Sequence, residues 1–266
     1  MKVQAGFKRW SSILMLLGSM ALGTTATATA AEPALPQILG GETVRIGAVP
    51  APPWYQKDLI TNQWTGLVPD IAQALFADTG VRIEYVDTQW GTAVAGLQSD
   101  RFDLLGGFNK TPERARAADF TRPIGSHRIG ILTIEGDPAR YRTWKDIDSS
   151  DIRLAAIDGS AAATLLQPEL PRTQWVIVPG SDAMQLEVES GRADALLSND
   201  IQMSQYILKR GRGHMVFPEP IQSQPTNIGL RKDRDDLRQW LDQRLEALDR
   251  DGTLDRIWSK YVLPAK

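Results

Sequence analysis

The 266-residue chain contains no cysteine. That absence removes a disulfide framework, an iron–sulfur cluster, a thiolate zinc site and a cysteine nucleophile. Histidine is scarce as well, with two copies. His127 follows Ser126 directly, and adjacent residues on a strand face opposite sides, so the two do not make a nucleophile and its base. His214 stands in the loop Arg210-Gly211-Arg212-Gly213, and both histidines are read as structural or solvated. No charge sign dominates, with 30 Lys and Arg against 32 Asp and Glu, which argues against an electrostatic nucleic-acid binder. There is no G-x-x-x-x-G-K-[ST] loop, no G-x-G-x-x-G behind a strand and no H-E-x-x-H. What remains is a globular composition, 42% hydrophobic and 23% charged, long enough for one large or two modest domains.

The start of the chain differs from the rest. Lys2, Lys8 and Arg9 precede an uncharged stretch at 11–23, and the small-residue run Thr24-Thr25-Ala26-Thr27-Ala28-Thr29-Ala30-Ala31 follows. A basic region, a short apolar region and a small-x-small site are the parts of a secretory signal peptide, so 1–31 reads as a cleaved leader. At 1.5 Å rise per residue the apolar stretch is too short to cross a hydrocarbon core of about 30 Å. Removing 1–31 takes three basic residues and no acid, leaving a net charge of −5. No later segment approaches the run of about 18 apolar residues that a membrane helix needs. An exported, soluble, periplasmic protein is the expectation.

Beyond the leader, short apolar runs alternate with helical patterns. Val44, Ile46 and Ala48 fall on one face of a strand, and Ile71, Leu75 and Phe76 recur at helical spacing before Gly80. Strands are expected at 81–86, 102–105, 129–134, 153–157, 176–178 and 193–197. Helices are expected at 90–98, from Thr111-Pro112, and at 160–166, 182–190 and 202–208. Two C-terminal helices carry the stripes Leu237, Trp240, Leu241, Leu245, Leu248 and Leu254, Ile257, Trp258, Tyr261. Strands alternating with helices imply an α/β fold with mostly parallel sheets.

The stretch Trp64-Thr65-Gly66-Leu67-Val68-Pro69-Asp70-Ile71-Ala72 begins an ordered series of motifs. Trp90, Leu97 and Phe102-Asp103 follow, then Thr111-Pro112-Glu113-Arg114 and Asp119-Phe120-Thr121-Arg122-Pro123. Further along come Gly159-Ser160, Gly191-Arg192-Ala193-Asp194-Ala195, Asn227-Ile228-Gly229-Leu230-Arg231-Lys232 and Asp251-Gly252-Thr253 with Trp258 and Lys260-Tyr261. In order and spacing this series resembles the family 3 periplasmic solute-binding proteins of amino-acid ABC transporters, over about residues 42–262. The resemblance implies a two-lobed periplasmic binding protein fold of type II, with ligand in the cleft. Lobe 1 would comprise 42–131 and 226–266, lobe 2 would comprise 135–219, and hinge crossovers would lie at 132–135 and 219–225.

The resemblance also implies a site. Arg114 matches the arginine that grips the ligand's α-carboxylate, a task suited to a planar guanidinium fork. Gly107 and Asn109 lie where the family uses backbone and small hydroxyl groups, and Lys110 is an unusual basic neighbour. Ser160 and Ala161 open a helix whose free N–H groups would take the carboxylate's other side, although Ser160 also suits a plain N-cap. The family's amine-binding aspartate falls on Asn199, which lacks the countercharge. Either Asp200 takes that role or the ligand has no α-ammonium group. Trp54 and Trp90 offer stacking faces or core packing.

The leading expectation is a monomeric, cofactor-free binding protein, not an enzyme, that delivers an amino acid or other small carboxylate to a membrane permease. The rival is an enzyme on the same scaffold, similar to periplasmic cyclohexadienyl dehydratases, which would need a general acid in the cleft; Asp200 and Glu219 are the acids available. A third possibility is an extracytoplasmic sensor or accessory binding protein.

Overall fold

The computed structural model describes residues 34–41 and 43–262. The expected leader at 1–31 lies outside them. The first half runs α1 (Ala34–Gly40), β1 (Thr43–Ala48), a small hairpin of β2 (Gln56–Lys57) and β3 (Trp64–Thr65), then α2 (Leu67–Phe76) and β4 (Arg82–Asp87). A 3₁₀ turn at Trp90–Thr92 leads into α3 (Ala93–Gln98), β5 (Leu104–Phe108), α4 (Pro112–Ala117) and β6 (Ala118–Phe120). The second half runs β7 (Gly125–Thr133), α5 (Trp144–Ile147), β8 (Arg153–Ile157), α6 (Ala161–Leu166), β9 (Gln174–Val178), α7 (Ser181–Glu189), β10 (Ala195–Asn199), α8 (Asp200–Arg210) and β11 (His214–Val216). Strand β12 (Gln222–Arg231) precedes α9 (Asp235–Arg250) and α10 (Thr253–Ser259).

The apolar spacings locate each buried face. Val44, Ile46 and Ala48 of β1 are buried together with Leu67, Ile71 and Leu75 of α2 and Leu237, Leu241 and Leu245 of α9. The three leucines recur every four residues, one stripe of a helix, and they close the first lobe's core. In the second lobe Ile129, Ile131, Leu154, Ala156, Leu166 and Leu197 share another core. Strand β5 is buried on both faces, as a central strand must be.

The strands join in the order β4-β1-β5-β12-β7-β10-β8-β9, with β6 added to β12 and β11 to β7. Pairing is parallel for β1 with β4 and β5 and for β8 with β9 and β10, and antiparallel around β12 and β7. Strand β12 belongs to both lobes. Its first half, 222–226, pairs with 125–129 of β7, and its second half pairs with β5 from Asn227, across a register shift at Asn227/Ile228, and with β6 from Gly229.

This pairing corrects the expected segment boundaries. The first crossover was placed at 132–135, but β7 lies in the second lobe's ladder from Gly125 onward, and Leu132 and Thr133 are paired to β10 and β11. The chain passes between lobes at 121–125 and again at 226–228. These two passages are bound to each other: Thr121 N donates to Ile228 O at 3.0 Å, Ile124 N to Thr226 O at 2.8 Å, and Asn227 Nδ2 to Thr121 O at 2.8 Å. Residues 219–225, expected as an extended connection, form the start of β12 from Gln222. Among the described residues no helix is long and apolar enough to cross a membrane.

Candidate functional site

The carboxyl ends of β5, β8 and β10 converge between the lobes, the usual location of ligand sites in α/β sheets. A cavity of about 60 Å³ lies there, lined from the first lobe by Trp54, Trp90, Gly107, Asn109 and Arg114. The second lobe supplies His127, Ile129, Ile157, Ser160, Ala161, Ala162, Leu197, Ser198, Asn199 and Gln202. Eight of the nine residues singled out in the sequence thus meet at one place. Asp200 does not line the cavity: its carboxylate accepts from Arg128 Nε at 3.1 Å and Arg128 N at 3.2 Å. Glu219 is exposed and away from the cavity, and so is Lys110.

Arg114 is placed by local sequence. Thr111 caps α4 by accepting from Arg114 N at 3.2 Å, and Pro112 occupies the first helical position, where its missing N–H costs nothing. The side chain is only 6% exposed. Its guanidinium lies 4.0 Å over the Phe108 ring, donates to Asn109 O at 3.0 Å, and reaches across to Gly159 O of the second lobe at 2.7 Å. No ion pair joins it to a carboxylate among the described residues, and burial lowers its pKa to about 10. The protein therefore holds a desolvated cation whose countercharge must come from elsewhere.

The lobes touch beside this arginine. Gly159 has φ +63°, and a Cβ there would lie 2.5 Å from the Gly91 nitrogen. Gly107, with φ +70°, is the penultimate residue of β5, and a Cβ there would lie 3.3 Å from Trp54 Cε3. Asn109 donates from Nδ2 to Pro225 O at 2.7 Å, so a cavity residue is bonded to the strand that joins the lobes.

On the far wall the polar groups satisfy one another. Ser160 caps α6 by accepting from Ala163 N at 3.2 Å. Asn199 caps α8: its Oδ1 accepts from Gln202 N at 2.9 Å and its Nδ2 donates to Gln202 Oε1 at 2.8 Å. Gln202 Oε1 also accepts from Ser198 Oγ at 3.1 Å, and its amide donates to Ser181 Oγ at 3.3 Å.

The aromatic residues divide in role. Trp54 is buried and packs edge-on against His127 and Trp258, each at 5.7 Å between ring centroids. Trp90 stacks on Phe108 at 6.3 Å and is only half-buried, so it both packs and lines. His127 departs from the sequence expectation of an ordinary histidine by lining the cavity. It is 8% exposed, its Nδ1 has no hydrogen-bond partner, and desolvation lowers its pKa to about 4 although Asp200 pulls the other way. The ring is neutral at neutral pH. Gln202, Ile129, Ile157 and Leu197 were also not singled out in the sequence. His127 shares a strand face with Ile129, and Asn199-Asp200-Ile201-Gln202 has the spacing of a helix start, signals that could have found them.

Comparison with known proteins agrees with this geometry. Residues 44–264 match the family described as bacterial extracellular solute-binding proteins, family 3. A probable amino-acid ABC transporter-binding protein of Haemophilus influenzae is 26% identical over 76% of this chain and 78% of its own length. A cyclohexadienyl dehydratase of Pseudomonas aeruginosa is 22% identical, covering 73% of each chain. Among solved structures, an ancestral amino acid-binding protein described as a precursor of cyclohexadienyl dehydratase superposes with a TM-score of 0.78 at 27% identity, covering 86% of this chain and 99% of the other.

Proposed function

Because the chain belongs to the bacterial extracellular solute-binding proteins of family 3, we propose that it captures a small carboxylate-bearing solute between its lobes and delivers it to the permease of an ABC transporter. The observation that carries this reading is Arg114, a buried guanidinium with no carboxylate partner among the described residues. A solute carboxylate supplies the missing charge, accepts charge-assisted hydrogen bonds from the fork and is shielded by both lobes. An affinity near micromolar corresponds to about 8 kcal/mol, within reach of one buried ion pair and a largely dry cleft. The protein acts outside the cytoplasmic membrane as a monomer, exported by the leader at 1–31.

Binding is favoured over turnover. A dehydratase needs a group that protonates a leaving hydroxyl. Among the described residues no Asp or Glu lines the cavity, and His127, held near 4 by burial, is unprotonated at neutral pH. The test is calorimetry on protein that has been unfolded and refolded to strip carried-over solute. Amino acids, 2-oxo acids, 2-hydroxy acids, dicarboxylates and prephenate form the panel, and product formation from prephenate is followed in parallel. Saturable binding of one carboxylate class without turnover is expected. Silence across the panel, or consumption of prephenate, would overturn the reading.

A further inference from the structure

We propose that the solute is a monocarboxylate whose α-carbon bears an uncharged group, a short 2-oxo or 2-hydroxy acid, rather than an amino acid. This rests on reading the cleft as a carboxylate site. The argument is an inventory of charge. Among the described residues Arg114 is the one ionised side chain lining the cavity. A singly charged anion neutralises it. An amino acid would bring a second cation into the same desolvated space with no anion to meet it, and a dicarboxylate would bring an anion with no second cation.

The carboxylates nearest the cavity do not supply that anion. Asp200 is held by Arg128 through two hydrogen bonds. Asp158 and Glu113 are exposed and outside the cavity lining, although Glu113 favours the charged form of Arg114. Asn199 stands on the wall but is neutral, and both its amide atoms are engaged with Gln202, which is itself bonded to Ser198 and Ser181. Turning this network toward an ammonium would undo the cap of α8 without providing charge. A carbonyl or hydroxyl on the α-carbon needs only ordinary hydrogen bonds, and the neutral His127 ring is one such polar neighbour.

The lining narrows the class further. Ile129, Ile157 and Leu197 give an apolar wall suited to a short aliphatic tail and offer nothing to a second charged group.

The experiment compares matched triads of three to six carbons, such as pyruvate, L-lactate and L-alanine, up to 2-oxoisocaproate, 2-hydroxyisocaproate and L-leucine. Each is titrated calorimetrically at pH 7.5 into stripped wild-type protein, Asn199→Asp and Arg114→Met. In wild type the oxo or hydroxy member of a triad should bind at least about tenfold tighter than its amino counterpart, the cost of an unpaired buried ammonium. Asn199→Asp keeps a residue that caps helices well and should reverse that order by restoring a countercharge. Equal or tighter binding of the amino member in wild type overturns the proposal while leaving the carboxylate site intact. No binding by any member, with Arg114→Met indistinguishable from wild type, overturns the carboxylate site itself.

Discussion

Replacing Arg114 by Met separates the arginine's role in binding from its role in folding. In the ligand-free protein two sets of terms oppose each other. The side chain is 6% exposed and its pKa falls to about 10, so holding the charge there costs on the order of 3 kcal/mol, which Met removes. Met also forfeits the bonds to Asn109 O and Gly159 O and the contact with the Phe108 ring. Those three interactions contribute about 1–3 kcal/mol each, so the balance runs from about no change to a loss of about 6 kcal/mol. Binding has no such compensation. Losing one partner of a buried charge pair costs about 2–5 kcal/mol, roughly 30- to 4,000-fold in Kd. The assay is unfolding with and without the tightest solute at 100 times its wild-type Kd. Wild type should gain about 2.7 kcal/mol, and the variant less than about 0.9 kcal/mol. A variant that keeps nearly the full gain, or whose Kd moves less than threefold, would refute the assignment of Arg114 as the carboxylate anchor.

His127 makes stability pH-dependent in one direction. Its folded pKa of about 4 lies below the ordinary 6.5, so the unfolded chain takes up the proton first, and stability is full above 6.5 and falls toward 4. The loss attributable to His127 is about 2 kcal/mol by pH 5; urea unfolding of His127→Gln should show a correspondingly smaller drop from pH 7.5 to 5, and an unchanged drop would refute the argument. Gly159→Ala puts a Cβ 2.5 Å from the Gly91 nitrogen at a φ of +63°, so calorimetry should show solute affinity weakened by at least about tenfold, the cost of a kilocalorie-scale clash between lobes; an unchanged Kd would show that the contact is not needed. Gly125→Ala would bring a Cβ within 2.8 Å of Trp258 Cη2 and nearer to other ring atoms, lowering stability by about 1–3 kcal/mol in urea unfolding, and an unshifted midpoint would count against that packing. In hydrogen exchange, the amides of 226–228 should open faster than those of 229–231 and slow when solute binds; equal protection without solute would remove the distinction.

The elements legible in the sequence are those whose burial repeats at a regular interval. Strand β1 alternates, α9 repeats every four residues, and both formed where the periodicity places them. The first half of β12 is polar, Gln222-Ser223-Gln224-Pro225, with exposed and half-buried residues alternating, so hydropathy does not mark it as a strand. Tertiary pairing with β7 makes it one, and Pro225 is tolerated because β12 pairs with β7 alone there, an edge setting in which a missing N–H need not break the ladder. The start of β7 is hard to read for a related reason. Gly125-Ser126-His127-Arg128 offers no apolar run, so hydropathy begins the strand only at Ile129, although His127 shares a face with Ile129 at a period of two. Arg114, Asn109, Ser160 and Asn199 were legible through ordered motifs. Their hydrogen bonds were not, because no spacing in the chain shows that Asn199 spends its amide on Gln202.

The passage between lobes and the cavity are one piece of structure. In the second passage the ladder changes partner from β7 to β5 between Thr226 and Asn227, and a register shift follows at once at Asn227/Ile228. Two buried side-chain oxygens there, Thr226 Oγ1 and Asn227 Oδ1, have no hydrogen-bond partner among the described residues, and the register shift interrupts the ladder at the same place. Cavity residues are fastened directly to it. Asn109 donates to Pro225 O, and Trp54 packs on His127 and on Trp258, whose indole donates to Ile124 O at 2.6 Å. A solute that draws Arg114 and the far wall together therefore acts on groups already bonded to both passages. Only contacts that differ between open and closed arrangements can shift the balance between them. Arg114 is placed to be such a contact, because in this structure its two carbonyl partners, Asn109 and Gly159, belong to different lobes.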